Sequence, residues 1–115
     1  MFTRQEKSLK KVDESLLNDI VNQILKVTQP EKIVLFGSYA RNEAIAVSDI
    51  DILIIQSSDL PRYKRSIPVR LALRGLFPSK DIVIYTPEEV KEWESASTSF
   101  IASALREGRV LYERK

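Results

Sequence analysis

GSYARNEAIAVSDIDILI, residues 37–54, decides the fold. Gly37-Ser38 closes the apolar, β-branched run Lys32 to Phe36 (KIVLF), and Asp49 to Ile55 (DIDILII) is a second such run. Short apolar runs bounded by turn residues read as buried strands. At the end of the first strand, backbone N–H groups and the Ser38 hydroxyl would face whatever sits above it, an arrangement suited to phosphate. Tyr39-Ala40-Arg41 reads as the first turn of a helix. A Gly-Ser pair also ends many strands only to make a turn, so alone it decides nothing.

Asp49 and Asp51 say more, because residues i and i+2 of a strand project to one face. Two carboxylates about 5 Å apart at an effective dielectric near 20 repel by roughly 3 kcal/mol, and a divalent cation turns that repulsion into attraction. Asp81 enters a third apolar run, Asp81 to Tyr85 (DIVIY), in the same manner. Three carboxylates at the ends of adjacent strands form a hard-oxygen set suited to Mg²⁺, which keeps waters and takes substrate phosphates as its remaining ligands. Taken singly, each has a plainer reading: a cap or turn for Asp49, and solvent at a strand end for Asp51 and Asp81.

Outward from this stretch, Leu17, Ile20, Val21, Ile24 and Leu25 recur at helical spacing from Leu16, with Asp13 or Ser15 as cap and Pro30 as stop. Leu60 to Phe77 reads as a helix with Tyr63, Ile67 and Leu71 as its apolar stripe, basic residues opposite, and Pro68 kinking or dividing it. Thr86-Pro87-Glu88-Glu89 places Thr at N-cap, Pro at N1 and Glu at N3, a helix start with a capping box. Phe100, Ile101, Ala104 and Leu105 give a last helical stripe, Gly108 is placed to end it, and Val110 to Tyr112 adds a short strand. The order implies an α/β (α+β) fold, a mixed sheet of three or four strands backed by helices.

At 115 residues the chain is expected to form one domain, residues 1–115, without room for a separate lid or acceptor domain. The absence of His and Cys excludes thiolate nucleophiles, imidazole bases, disulfides and Cys/His zinc sites, so any metal must be held by oxygen. No apolar run approaches the ~20 residues of a membrane span, and MFTRQEKSLKK lacks the apolar core of a signal peptide. A cytoplasmic protein with no membrane contact is the expectation. The net charge of +2 is uneven: Arg62, Lys64, Arg65, Arg70, Arg74 and Lys80 occur without an acidic residue between Pro61 and Lys80. That stretch is either a solvated face or a surface for a polyanion or acidic partner.

Gly37-Ser38 followed after ten residues by Asp49-Ile50-Asp51 resembles the signature of the DNA polymerase beta-like nucleotidyltransferases. The closing REGRVLY is similar to the end of the minimal nucleotidyltransferase (MNT) family, and the likeness covers most of the chain. Asn42 stands where many relatives have glycine, a mild change because Asn tolerates a left-handed backbone. The resemblance implies a polymerase beta-like fold and two-metal nucleotidyl transfer. Asp49 and Asp51 would hold two Mg²⁺ ions, with Mn²⁺ able to replace them. Asp81 would ligate the second ion and help remove the hydroxyl proton. Gly37 and Ser38 would hold the β/γ phosphates of a nucleoside triphosphate, ATP, with Arg41 adding charge there or forming a surface ion pair.

MNT proteins are commonly encoded beside a HEPN-type partner and act as antitoxins by transferring AMP to a tyrosine of that toxin, and this is the leading function the resemblance implies. Against it stand a binding module that neutralises or scaffolds a partner by contact alone, and a small-molecule nucleotidyltransferase, which the chain length disfavours. Nucleic acid is the less favoured partner, and a homo-oligomer is compatible with the sequence.

Overall fold

Asp13 accepts a hydrogen bond from the Leu16 amide at 3.0 Å and starts helix α1, Glu14–Val27, which ends at Thr28, short of Pro30. The computed structural model describes residues 13–44, 48–76, 79–96 and 99–115. The amino-terminal MFTRQEKSLKK, the Ile45-Ala46-Val47 part of the motif and Phe77 lie outside the described residues. Strands β1 (Lys32–Phe36), β2 (Ile50–Ile55), β3 (Lys80–Tyr85) and β4 (Arg109–Glu113) form one sheet in the order β3-β2-β1-β4. β1 runs antiparallel to β2 and β4, whereas β2 and β3 are parallel, so the sheet is mixed.

β2 lacks hydrophobic alternation because it is covered on both faces. Ile50, Ile52 and Ile54 pack with Leu17, Ile20 and Ile24 of α1, while Leu53 and Ile55 pack on the other side with Ile101 and Ala104. By the period of two, Asp51 belongs to the second face. Among the described residues, no helix is long and apolar enough to cross a membrane.

The helix expected from Leu60 to Phe77 is instead two short ones, α2 (Arg62–Arg65) and α3 (Ile67–Ala72). The break falls at Ser66, and Pro68 sits in the first turn of α3, where its missing N–H breaks no helix bond. The buried face also differs from the periodicity. Ser66, Val69 and Leu73 turn inward, while Tyr63, Ile67 and Leu71 are exposed. The reason lies in the edge of β3.

The carbonyls of Ser79, just before β3, and of Tyr85 at its end accept from the Ile50 and Gln56 amides, so those of Ile82 and Ile84, of opposite parity, face outward. Arg70 donates to the Ile82 carbonyl at 3.5 Å and Arg65 to that of Ile84 at 3.2 Å. The two guanidinium groups thus supply donors to carbonyls that no neighbouring strand pairs. They also block the strand edge against a further strand. Much of the basic stretch is therefore structural, and Arg62 joins it by lying 4.4 Å over the Tyr85 ring.

Helix α4, Pro87–Trp93, starts with the expected capping box: the Thr86 hydroxyl accepts from the Glu89 amide at 3.2 Å, and Glu89 accepts from the Thr86 amide at 2.9 Å. Glu89 also receives Arg65 through two bonds, 2.7 and 3.2 Å long. The Arg65 hydrogen bonds, with help from the Thr86 amide and the Arg62 charge, hold the Glu89 carboxyl at about 2, below its ordinary 4.5. A depressed carboxylate stabilises the fold above pH 4.5, and that contribution is lost as pH falls toward about 2. Glu89→Gln should therefore lose about 2 kcal/mol at pH 7, after discounting for solvent at the pair's outer side. Urea unfolding of both proteins across this range should show the difference closing on the acid side.

Helix α5, Phe100–Glu107, is capped by Ser99 and ends at Gly108. Gly108 is extended, not left-handed; a Cβ there would collide with the Ala104 carbonyl oxygen and the Val34 side chain. Close packing is what requires glycine, and it lets the chain pass directly from α5 into β4. Phe100 meets Phe36 edge-on at 5.1 Å, which ties α5 to the end of β1.

Candidate active site

Antiparallel pairing sets Phe36, the last residue of β1, opposite Asp51. Parallel pairing sets Asp51 opposite Asp81. The topology thus brings the Gly37 turn and both carboxylates to one end of the sheet. Neighbouring strands lie about 4.8 Å apart, and partners in a parallel ladder share a face. Asp49 precedes β2 by one residue, roughly 6.6 Å along the chain from Asp51.

Asp51 is half-buried, and its carboxyl is held above the ordinary carboxylate range, first by burial and then by the charges of Asp81 and Asp49. Arg41 opposes that shift. Asp49 and Asp81 are exposed. Among the described residues, no three acidic side chains come together as a group that could hold a metal ion, so the expected three-carboxylate set is not assembled here; Asp51 and Asp81 are paired at one end of the sheet and Asp49 precedes β2.

Gly37 has φ +75°, and a Cβ there would strike Asp51 Oδ2 and stand 3.0 Å from its Cγ. Backbone conformation and close approach both demand glycine at this position. The helix expected after it is a single turn: the Arg41 amide donates to the Gly37 carbonyl at 3.2 Å, and the Glu43 amide to that of Ser38 at 2.8 Å. Asn42 ends it with φ +62°, the left-handed backbone that Asn tolerates.

Arg41 reaches Glu43 at 2.9 Å and Glu107 at 3.6 Å, the surface ion pair that its sequence context allowed. Tyr39 is a residue that the motif did not single out. Its hydroxyl donates to the Ser48 carbonyl at 3.4 Å, pinning the approach to Asp49 against the turn after β1. Burial, then the Asp49 charge, raises the Tyr39 phenol above its usual range. The one available signal was an aromatic residue inside an otherwise polar turn.

Residues 18–115 match the family model described as Polymerase beta, Nucleotidyltransferase. The chain belongs to that family. A Methanocaldococcus jannaschii protein named "Putative protein adenylyltransferase MJ0604" is 34% identical over 110 residues, 94% of this chain and 98% of that protein. A second from the same organism, "Putative protein adenylyltransferase MJ1305", is 38% identical over 71 residues, 56% of this chain. The chain spans under half, 46%, of that second relative's length. Among solved structures, the tri-AMPylated Shewanella oneidensis HEPN toxin in complex with MNT antitoxin matches with a TM-score of 0.60 and 22% identity, over 88% of this chain and 72% of that one. At that identity the likeness concerns the polymerase beta-like fold.

Within this nucleotidyltransferase, two glycines separate backbone strain from collision. Gly37→Ala and Gly75→Ala both force a positive φ on alanine, an effect of roughly 1–2 kcal/mol. Gly75 has open space where its Cβ would stand, whereas at Gly37 the new methyl strikes Asp51. Both variants should melt lower than the parent, but Gly37→Ala should melt lower still and, on the function proposed below, lose ATP affinity. Calorimetric ATP titration beside thermal unfolding checks both.

Proposed function

We propose that this nucleotidyltransferase transfers AMP from ATP to a hydroxyl of a partner protein, a tyrosine of a HEPN-type toxin, and so acts as an antitoxin. The observation that carries the reading is the placement of Asp51 opposite Asp81 across one rung of β2 and β3, against the Gly37 turn. The protein adenylyltransferase names of its relatives, and the MNT antitoxin seen with an AMPylated HEPN toxin, support the acceptor class.

The donor set suits Mg²⁺, which takes one or two carboxylates and fills its remaining positions with water and phosphate oxygens. A half-buried Asp51 beside two like charges is the carboxylate such a cation would favour. Asp49 and Asp51 would hold two Mg²⁺ ions, Asp81 would share the second, and Mn²⁺ would fit the same oxygens. When bound, they supply neutralisation of the triphosphate and a lower pKa for the acceptor hydroxyl.

The chain's own groups do the positioning. Ser38 and the first amides of the turn, those before Arg41, hold the β/γ phosphates, so that the α-phosphorus lies in line with the incoming oxygen. Asp81, exposed beside Asp51, takes up the proton of the attacking tyrosine hydroxyl. The new bond joins that oxygen to the α-phosphorus, the bond to the β-phosphate oxygen breaks, and pyrophosphate leaves. Histidine is not required, because a carboxylate serves as proton acceptor.

The test supplies ATP labelled at the α-phosphate together with the HEPN-type partner. The wild-type chain should label the partner on tyrosine, and Asp51→Asn should not. If both chains neutralise the partner equally and no label transfers, the chain acts by contact alone.

A further inference from the structure

Arg62, Tyr85, Trp93, Ser99, Phe100 and Ile101 line a cavity of about 270 Å³. Its walls are mostly rings. Tyr85 and Phe100 stand 6.0 Å apart, tilted by 32°, and the Arg62 guanidinium lies 4.4 Å over the Tyr85 ring. Trp93 and Phe100 nonetheless stay 46% and 42% exposed, so the rings are assembled without closing on one another. The volume lies below the roughly 300–1,000 Å³ of pockets that take a whole small molecule, and it suits a single ring. Ring edges and faces with a guanidinium at the rim attract a further aromatic group. The polar groups here are already engaged: the Ser99 hydroxyl donates to the Trp93 carbonyl at 2.8 Å and accepts from the Ala102 amide at 3.0 Å, and Arg62 lies 3.6 Å from Glu89. Such walls favour a hydrocarbon ring over a nucleobase, whose polar edge would lose its hydrogen bonds to water.

The position on the sheet says which molecule brings the ring. Tyr85 has the strand parity of Asp81, and Asp81 shares a rung with Asp51, so all three project to the second face. Four residues of strand separate Tyr85 from Asp81, about 13 Å. In the transfer proposed above, pyrophosphate leaves toward the Gly37 turn, and in-line displacement sets the attacking oxygen on the opposite side of the α-phosphorus. That is the side of β3, across β2 from β1 and its turn.

We propose that the cavity is an acceptor subsite, which takes an aromatic side chain of the protein that receives AMP, about four residues of extended chain from the modified tyrosine. The acceptor assignment rests on the function proposed above; the affinity of the cavity for a ring does not.

Trp93 is the only tryptophan of the chain and lines the cavity, so its emission reads occupancy. N-acetyl-phenylalaninamide is titrated into the chain alone and into the chain saturated with Mg²⁺ and α,β-methylene ATP, which cannot transfer AMP. It should shift Trp93 emission saturably in both, with affinities within twofold, whereas N-acetyl-alaninamide should not. Arg62→Ala, at an exposed position, should weaken it at least threefold with an unchanged far-ultraviolet spectrum. The amide should also inhibit labelling of the HEPN-type partner, competitively against the partner and not against ATP, and Arg62→Ala should raise KM for the partner at least threefold at unchanged kcat. Absence of a saturable shift, displacement of the amide by the ATP analogue, or inhibition competitive with ATP would overturn the subsite, the last two by giving the cavity to the nucleobase. Ring binding with no labelled partner would retain the ring site and remove the proposed function together with the acceptor assignment.

Discussion

Asp51→Asn should abolish AMP transfer and leave the protein as stable as the parent or more so. The two effects share a cause. The Asp51 carboxylate is half-buried beside Asp81 and Asp49, and both burial and like charge disfavour its ionised form. Asparagine keeps the shape and removes the charge, so the repulsion disappears with the function. On the function proposed above that charge serves a cation, and such a site is expected to trade stability for activity. Transfer should fall by roughly 10³-fold or more, since the electrostatic handling of the triphosphate is the main contribution available to phosphoryl chemistry. Single-turnover transfer and urea unfolding at neutral pH, run on the same two samples, decide it. A variant that loses transfer and stability together would mean that Asp51 has a structural role, and undiminished transfer would remove Asp51 from the site.

Sequence reading succeeded where one local interaction decides the structure. KIVLF is a strand with the bounds read from it, because β-branched residues and the following glycine leave no competing reading. The Thr86 cap and the left-handed Asn42 follow from side-chain chemistry within a few residues. That Asp51 stands at the head of a buried strand was legible from the run itself, although which strands pair, and that Asp51 meets Asp81, came only from the sheet, and Asp49 falls just before β2 rather than in it.

It failed where a distant partner overrules the local pattern. Tyr63, Ile67 and Leu71 form a sound helical stripe, yet the face that turns inward carries the donors that the β3 carbonyls need. Hydrophobic spacing cannot register that need, since the acceptors lie 12 to 19 residues away along the chain. The same long-range pairing hid Arg65, which a charge count places on a solvated face or a partner surface and the fold places against Glu89.

Asp81→Asn should give a different phenotype from Asp51→Asn, although the two residues face each other across one rung of the sheet. Asp51 is half-buried beside the Gly37 turn, close enough to Gly37 that a single added methyl would strike it. Asp81 is exposed on the outer strand, open to an incoming acceptor and one strand farther from the turn. Its loss should leave ATP affinity within a few-fold of the parent. The chemical step should fall by ~10² to 10⁴, the usual contribution of a positioned proton acceptor, with more lost if the hydroxyl is also misaligned. ATP titration by calorimetry and single-turnover AMP transfer, measured side by side, distinguish this from a general loss of binding. Transfer at the parental rate would reduce Asp81 to a strand-end residue. Glu43 would then be the next carboxylate to test, and a hard one to recruit, because it is already bound to Arg41 at 2.9 Å and would have to release that cation before accepting a proton.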